Sequence, residues 1–210
     1  DRGAFASCSS PLQHTYAEGL HHFEVRAKDG AGNVSAPIAH DWKIDLSAPT
    51  IEILSGPEGY VNLTNATFTF RGSDDGVALN RFDCRLDNGS VVACNSGSMT
   101  FNNVAEGQRI FTVIAKDDAG LSSSPATRSF FVDRTNPTIA INGPSGRQGS
   151  SSATFNFTAL DSGSGVARIE CSLDNGSSFQ TCGGSKTFTN LANGSHTIFA
   201  RSVDNTGNIS

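Results

Sequence analysis

The sequence lacks the features that mark membrane-spanning and nucleic-acid-binding proteins. No apolar run approaches the roughly 18 residues needed to cross a bilayer. The 15 basic residues are scattered rather than gathered in a stripe, and the net charge is −5. Because binding to a phosphate backbone needs a positive face, nucleic acid is not an expected partner. The mild acidity serves solubility.

The common catalytic motifs are missing as well. Neither an H-E-x-x-H helix nor a G-x-S-x-G nucleophile elbow occurs, and no Ser/His/Asp set recurs along the chain. The glycine-rich stretch 143–149 lacks the lysine and the following helix of a phosphate loop. We therefore expect no enzyme activity and no catalytic residue. Five histidines are expected on solvated strand surface: His14, His21, His22, His40 and His196.

The chain contains three copies of one sequence repeat. The stretch Cys84–Ser90 returns 87 positions later as Cys171–Ser177, and Ala27-Lys28-Asp29 returns as residues 115–117 and loosely as 202–204. A fixed period of this length indicates an array of small domains. The register predicts the C-terminal part of a repeat in residues 1–45, a complete repeat in 46–133, and in 134–210 a repeat lacking its last strand.

The complete repeat has the pattern of an all-β domain. Residues 50–54 and 66–70 alternate between apolar and polar side chains, and an Asn-Gly turn at residues 88–89 predicts a hairpin. About seven short strands with regular turn signals, and no helical period, predict an immunoglobulin-type β-sandwich. The chain is thus expected to be an end-to-end array of such sandwiches.

The cysteines follow the same repeat. Cys84 and Cys94 flank the hairpin turn, and Cys171 and Cys182 recur at the equivalent positions, so we predict a disulfide within each hairpin. Cys8 matches Cys94, and its partner is expected upstream of residue 1. The alternative, a zinc site, does not fit a C-x9-C or C-x10-C spacing without a nearby histidine. Paired cysteines in small repeated domains favour an extracellular, oxidising setting.

These motifs resemble a known family. Leu173-Asp174-Asn175-Gly176 between its two cysteines, the turn at residues 29–33 and the linker at 45–50 resemble bacterial immunoglobulin-like (Big-type) tandem repeat domains of large extracellular and surface proteins. The second repeat departs from the pattern, with Leu121 where the others have Asn.

The resemblance implies a structural segment of an adhesin stalk or surface fibre that spaces or displays a distal binding region. Two alternatives stay open: a self-assembling extracellular filament subunit, or a glycan- or protein-binding accessory module of a secreted protein. The expected partners are neighbouring repeats of the same chain, copies of itself, or a cell-surface protein or glycan.

The linkers predict that successive domains stack as a stiff rod, and the aspartates near them make calcium a candidate cofactor. The linkers 45–49 and 133–137 are short, lack glycine and end in proline. In an immunoglobulin-type sandwich the linker and two loops meet at the entry end, which gathers oxygen ligands that suit calcium. The competing interpretation is that each aspartate only caps a turn. The candidate calcium ligands are Asp45, Asp74, Asp75, Asp117 and Asp118 at one junction and Asp133, Asp161 and Asp204 at the next.

Three apolar residues fall in the outward register of their strands. Ile114, Phe199 and Val203 alternate out of phase with the expected core positions. They are candidates for a lateral interface, because contiguous exposed apolar surface usually marks one. The alternative is that neighbouring side chains cover them.

Overall fold

A computed structural model describes residues 3–210, which form strands, turns and loops. The strands fall into three consecutive sets, which we call the first (residues 3–45), second (46–133) and third (134–210) segments. Within the described residues, no sheet combines strands of two segments, and no helix is long and apolar enough to cross a membrane.

The second segment is a two-sheet sandwich. One sheet has the order β3-β5-β8 and the other β4-β10-β9-β6-β7; all pairs are antiparallel except β4 with β10. This order, with consecutive strands crossing between the sheets, defines an immunoglobulin-like β-sandwich. Its eight strands are β3 Thr50–Ser55, β4 Gly59–Val61, β5 Ala66–Ser73, β6 Leu79–Leu86, β7 Val92–Ala93, β8 Ser98–Phe101, β9 Gly107–Asp117 and β10 Ala126–Val132.

The flanking segments contain parts of the same arrangement. In the first, β1 and β2 form an antiparallel pair equivalent to β9 and β10. In the third, the sheets β11-β12-β15 and β14-β13-β16 match β3-β5-β8 and β7-β6-β9. Their strands are β1 Gly19–Val25, β2 Ile38–Ile44, β11 Thr138–Asn142, β12 Ala153–Leu160, β13 Val166–Leu173, β14 Gln180–Thr181, β15 Ser185–Phe188 and β16 Ile198–Asp204.

The core of the second segment follows from strand alternation. Phe68 and Phe70 of β5 are buried, as are Phe111 and Val113 of β9, and the rings of Phe68 and Phe111 stack with centroids 4.0 Å apart. Each such side chain stabilises the fold by about 1.5–3 kcal/mol through burial. Thr67, which precedes Phe68, is exposed, and Thr69, between the phenylalanines, is half-buried. The predicted inward and outward faces of β5 are confirmed.

The Leu-Asp-Asn-Gly motif closes the predicted hairpin in a specific way. Asp87 adopts a left-handed conformation (φ 53°), accepts a hydrogen bond from the Ile110 amide at 2.8 Å and donates its own amide to the Ile110 carbonyl at 2.8 Å. Asp174 (φ 67°) does the same with Thr197. The aspartate therefore fixes the hairpin to the neighbouring strand.

Two surface cavities are the open interiors of the first and third segments. The first is lined by Phe23, Val25 and Trp42, which correspond to the core positions Phe111, Val113 and Phe130 of the second segment. The second cavity lies between the two sheets of the third segment, against Phe155 and Leu173 among others. Because these positions are core positions of the sandwich, we assign neither cavity a ligand.

Two predictions about side-chain direction were wrong. His21 is only 7% exposed and packs against Tyr16 and Trp42, because it lies two residues from the inward Phe23 and so on the same face of β1. Val203 is 2% exposed, since β16 pairs there with Arg168 on one side and bridges to Ile209 on the other.

The other two interface candidates do not form a patch with Val203. Phe199 is 40% exposed and lies against Gly176 of the hairpin turn, where an added Cβ would be 3.2 Å from the ring. Ile114 is half-buried and lies in a different segment. A lateral interface through these residues stays a prediction.

The two cysteine pairs occupy equivalent places in their hairpins, but they are not directly opposite, because Cys84 pairs with Val92 and Cys171 with Gln180. Only one of the two predicted bonds is present. Cys84 and Cys94 form a disulfide, whereas Cys171 and Cys182 are free thiols, as is the exposed Cys8. The backbone is not the cause, because Cys182 donates to the Ile169 carbonyl at 3.0 Å just as Cys94 donates to Phe82 at 2.9 Å. Burial and the hydrogen bond with the Cys171 thiol raise the pKa of Cys182 to about 12.

Peptide mapping without reduction should find Cys84 joined to Cys94 and alkylatable thiols at Cys171 and Cys182. After treatment with oxidised glutathione, Cys171 should join Cys182, because the hairpin register already matches that of the bonded pair. An alkylated Cys84 before reduction, or a Cys8–Cys171 bond after oxidation, would contradict this assignment.

His196 makes the third segment sensitive to pH. Its Nδ1 lies 2.7 Å from Asp174 Oδ2 and its Nε2 lies 2.9 Å from the Ala192 carbonyl, so both nitrogens must carry protons. In the second segment Arg109 makes the same two contacts, with Asp87 and the Ala105 carbonyl. The bond to Ala192 and then the bond to Asp174 raise the pKa of His196 above its ordinary 6.5.

The stabilisation from His196 should thus be complete below the unfolded pKa and lost as pH rises through the folded pKa. Thermal unfolding of the third segment should shift to lower temperature between about pH 6 and about pH 8. His196→Arg should flatten this dependence, and Arg109→His should introduce it in the second segment. Equal pH profiles for the wild type and His196→Arg would show that His196 stays neutral.

Candidate metal centres

Three aspartates meet where the first segment joins the second. Asp45 follows β2 in the linker, Asp74 follows β5 and Asp117 ends β9. One carboxylate oxygen from each lies within 4.8 Å of the other two. We call this group cluster A.

The same group is built again where the second segment joins the third. Asp133, Asp161 and Asp204 occupy the equivalent positions after β10, after β12 and at the end of β16, and their oxygens satisfy the same 4.8 Å limit. We call this group cluster B. Within each cluster one aspartate belongs to a linker and two belong to loops of the following segment.

One oxygen of each aspartate in cluster A caps a turn. The Ser47 amide donates to Asp45 Oδ1 at 3.0 Å, the Gly76 amide to Asp74 Oδ1 at 2.6 Å and the Leu121 amide to Asp117 Oδ1 at 2.8 Å. The turn-capping interpretation is therefore correct for these oxygens.

The second oxygen of each aspartate in cluster A has no such partner. Asp45 Oδ2, Asp74 Oδ2 and Asp117 Oδ2 are buried and accept no hydrogen bond, and Asp117 as a whole is only 2% exposed. Within residues 3–210 no lysine, arginine or histidine forms an ion pair with these three carboxylates. A cation bound among these oxygens would offset the cost of burying carboxylate oxygens without a partner.

Cluster B is closer to being satisfied by the protein. Asp133 Oδ2 accepts from the Ser164 amide at 2.6 Å and Asp204 Oδ2 accepts from Asn208 Nδ2 at 2.7 Å, so Asp161 Oδ1 is the cluster's one buried oxygen without a partner among the described residues. Burial alone would raise the pKa of Asp204, but hydrogen bonds from Asn208 and Thr206 outweigh it and lower the pKa overall.

A glycine makes room for each linker aspartate. A Cβ added to Gly76 would lie 2.4–2.5 Å from the carboxylate of Asp45, and one added to Gly163 would lie equally close to that of Asp133. The requirement is space, because neither glycine has a positive φ. The motif Asp-x-Gly that follows β5 and β12 thus both supplies a carboxylate and leaves space for the linker aspartate.

The structure brings six of the eight candidate ligands together, in two groups of three. Asp75 and Asp118 do not belong to cluster A; both are exposed, because each lies one residue past a cluster member in its turn and so points to the other side. Sequence reasoning missed Gly76, Gly163 and Asn208. Their signal was the repetition of Asp-x-Gly at 74–76 and 161–163, and of Asn at positions 33 and 208.

The geometry suits a hard divalent cation. Calcium takes six to eight oxygen ligands at about 2.3–2.6 Å, so two oxygens on one ion lie at most about 5.2 Å apart. The carboxylates of each cluster fall within that limit. Three carboxylates leave coordination positions for backbone carbonyls or water, which calcium accepts more readily than the strictly octahedral magnesium.

Comparisons with known proteins give only distant structural similarities. No family model and no curated protein matches the chain. Among solved structures, fibronectin(III)-like modules of Clostridium thermocellum CbhA are 23% identical, with a TM-score of 0.36 over 40% of this chain and 96% of that one. The D00-D0 domain of intimin is 13% identical, with a TM-score of 0.39 over 76% of this chain and 94% of that one.

A two-domain fibronectin type III segment of chicken tenascin is 17% identical, with a TM-score of 0.31 over 78% of this chain and 95% of that one. At these scores the similarities carry no functional information. The function must therefore be argued from the residues of this chain.

Gly76→Ala should expel the Asp45 carboxylate from cluster A, because the added methyl group would lie 2.4 Å from it. We expect a loss of about 1–3 kcal/mol in the free energy of unfolding of the second segment and loss of one calcium site by titration. Gly30→Ala is the matched control, since an added Cβ there meets nothing within 4 Å. Unchanged calcium binding in Gly76→Ala would mean that Asp45 is not a ligand.

Proposed function

We propose that this chain is a structural segment of an extracellular tandem array that spaces or displays a distal binding region, and that calcium fixes each junction between its segments. The observation that carries the proposal is the pair of three-aspartate clusters, one at each junction. Each cluster combines a linker carboxylate with two carboxylates of the next segment, so an ion bound there ties linker and segment together.

The linker at the second junction is also held on its other side. Arg134 Nη1 donates to the Leu63 carbonyl at 2.7 Å and to the Val104 carbonyl at 3.0 Å, both in the second segment. The neighbouring Asp133 reaches into the third segment, where the Ser164 amide binds it. Adjacent linker residues are thus anchored in opposite segments, which leaves little chain free to act as a hinge.

At the first junction fewer hydrogen bonds anchor the linker in the preceding segment. Ser47 Oγ donates to the carboxylate of Glu18 in the first segment at 2.8 Å, and Asp45 reaches into the second segment. In the second junction Thr135 Oγ1 donates to Glu106 in the same way, at 3.0 Å. The recurrence of this hydrogen bond supports the proposal that both junctions hold neighbouring segments at a fixed spacing.

Two further features support the extracellular setting. The Cys84–Cys94 disulfide is typical of oxidising compartments. Calcium sites of extracellular modules work at about 10⁻⁴–10⁻³ M, an affinity that a few carboxylates completed by water can supply. The proposal assigns the chain no catalytic activity, and its partners are neighbouring segments of the same protein.

The proposal is tested by scattering and by mass. In calcium the chain should be a monomer with a narrow distribution of interatomic distances, and a chelator should broaden that distribution. At free calcium about 100 times its Kd, binding should stabilise the chain by about 2.7 kcal/mol. Asp117→Asn should reproduce the effect of the chelator at the first junction, because it removes a ligand charge and keeps the Oδ1 turn cap.

Asp118→Asn is the matched control, since Asp118 is exposed and lies outside cluster A. A chain whose scattering and melting ignore both calcium and chelator would contradict the cation-fixed junction. A particle mass that grows into long polymers would instead favour the filament alternative.

A further inference from the structure

The turn after β9 and its equivalents is present three times and differs at one residue. It reads Asp29 to Asn33 in the first segment, Asp117 to Leu121 in the second and Asp204 to Asn208 in the third. In all three the amide of the fifth residue donates to Oδ1 of the aspartate at 2.8 Å. The backbone of the turn is therefore the same with Asn and with Leu.

The side chain of the fifth residue decides what happens to the other oxygen. Asn33 Nδ2 donates to Asp29 Oδ2 at 2.8 Å, and Asn208 Nδ2 lies 2.7 Å from Asp204 Oδ2. Leu121 has no donor, so Asp117 Oδ2 stays without a hydrogen bond although Asp117 is almost completely buried.

Asn208 also joins the parts of the second junction. Its Nδ2 lies 3.2 Å from the carbonyl oxygens of both Asp133 and Thr135 in the linker. Its own amide oxygen accepts from Asn62 Nδ2 of the second segment. The buried carboxamide of Asn208 thus connects the end of β16, the linker and the second segment. Without it, a bound ion would have to hold these parts together.

We infer that the fifth turn residue determines how strongly each junction depends on a divalent cation, with Leu121 making cluster A the tight, cation-dependent site and Asn208 making cluster B the weak one. Cluster A leaves three buried carboxylate oxygens for an ion, whereas cluster B leaves one. A carboxylate oxygen that receives no hydrogen bond from the protein gains more from a bound cation than one that already has a hydrogen bond. The binding free energy of the ion is therefore larger at cluster A. This inference rests on the proposed cation sites.

The test is calcium titration of the full chain by calorimetry, with CaCl₂ as the probe. The wild type should show two sites that differ in Kd by at least about tenfold. Asp74→Asn and Asp161→Asn, at equivalent half-buried positions, assign them: the first should remove the tight site and the second the weak one.

The deciding variants are Leu121→Asn and Leu121→Ala. Both remove the leucine side chain, but only asparagine supplies a donor to Asp117 Oδ2. We expect Leu121→Asn to weaken the tight site by about tenfold and Leu121→Ala to leave its Kd within about twofold of the wild type. Circular dichroism spectra of all variants without calcium report whether each one folds.

The outcomes separate this inference from the proposed function. Two sites of equal affinity, or an equal effect of Leu121→Asn and Leu121→Ala, would overturn the role of the fifth residue and leave the cation-fixed junction standing. Failure of calcium to bind at either cluster would overturn both.

Discussion

The insertion of a linker carboxylate into a loop of the following segment is the constraint on which each junction depends. Asp45 and Asp133 reach places where no side chain larger than that of glycine fits at residues 76 and 163. The insertion places like charges within 4.8 Å of one another, which would drive the segments apart unless hydrogen bonds or a cation offset the repulsion. The remaining features of the junctions can be understood as ways of offsetting the repulsion among these carboxylates.

Much of this arrangement could be predicted from the sequence, because it depends on short-range rules that repeat. Strand alternation at residues 66–70 gave the buried phenylalanines, and the Asn-Gly turn gave the hairpin that brings Cys84 and Cys94 within bonding distance, although Cys84 pairs directly with Val92 rather than with Cys94. The topology of an immunoglobulin-type sandwich then brought three separated aspartates to one end. Repetition was decisive, because two independent copies of one spacing are rarely accidental.

What the sequence could not give depends on the direction of single side chains within turns and on close packing. Asp74 and Asp75 are neighbours with the same chemistry, yet only Asp74 turns inward, because its Oδ1 is fixed by the amide of Gly76. Val203 seemed exposed by alternation alone, but the bridge to Ile209 covers it. The presence of a disulfide at Cys84 and Cys94 and its absence at Cys171 and Cys182 do not follow from cysteine spacing, because the two hairpins hold their cysteines at equivalent positions.

The comparison between segments shows that the same backbone arrangement accommodates side chains of different chemistry at equivalent positions. Arg109 and His196 make the same two contacts around the hairpin aspartate, but the arginine is charged at every physiological pH and the histidine is not. Leu121 and Asn208 follow the same turn backbone, but only asparagine can hydrogen-bond to the aspartate's second oxygen. In both pairs the backbone hydrogen bonds are kept while the side chain differs. On the proposed assignment, the side chain sets the dependence on protons or on cations, and the stiffness of a junction could then vary one residue at a time without any change of fold, since the residues that vary are not those that form the sandwich.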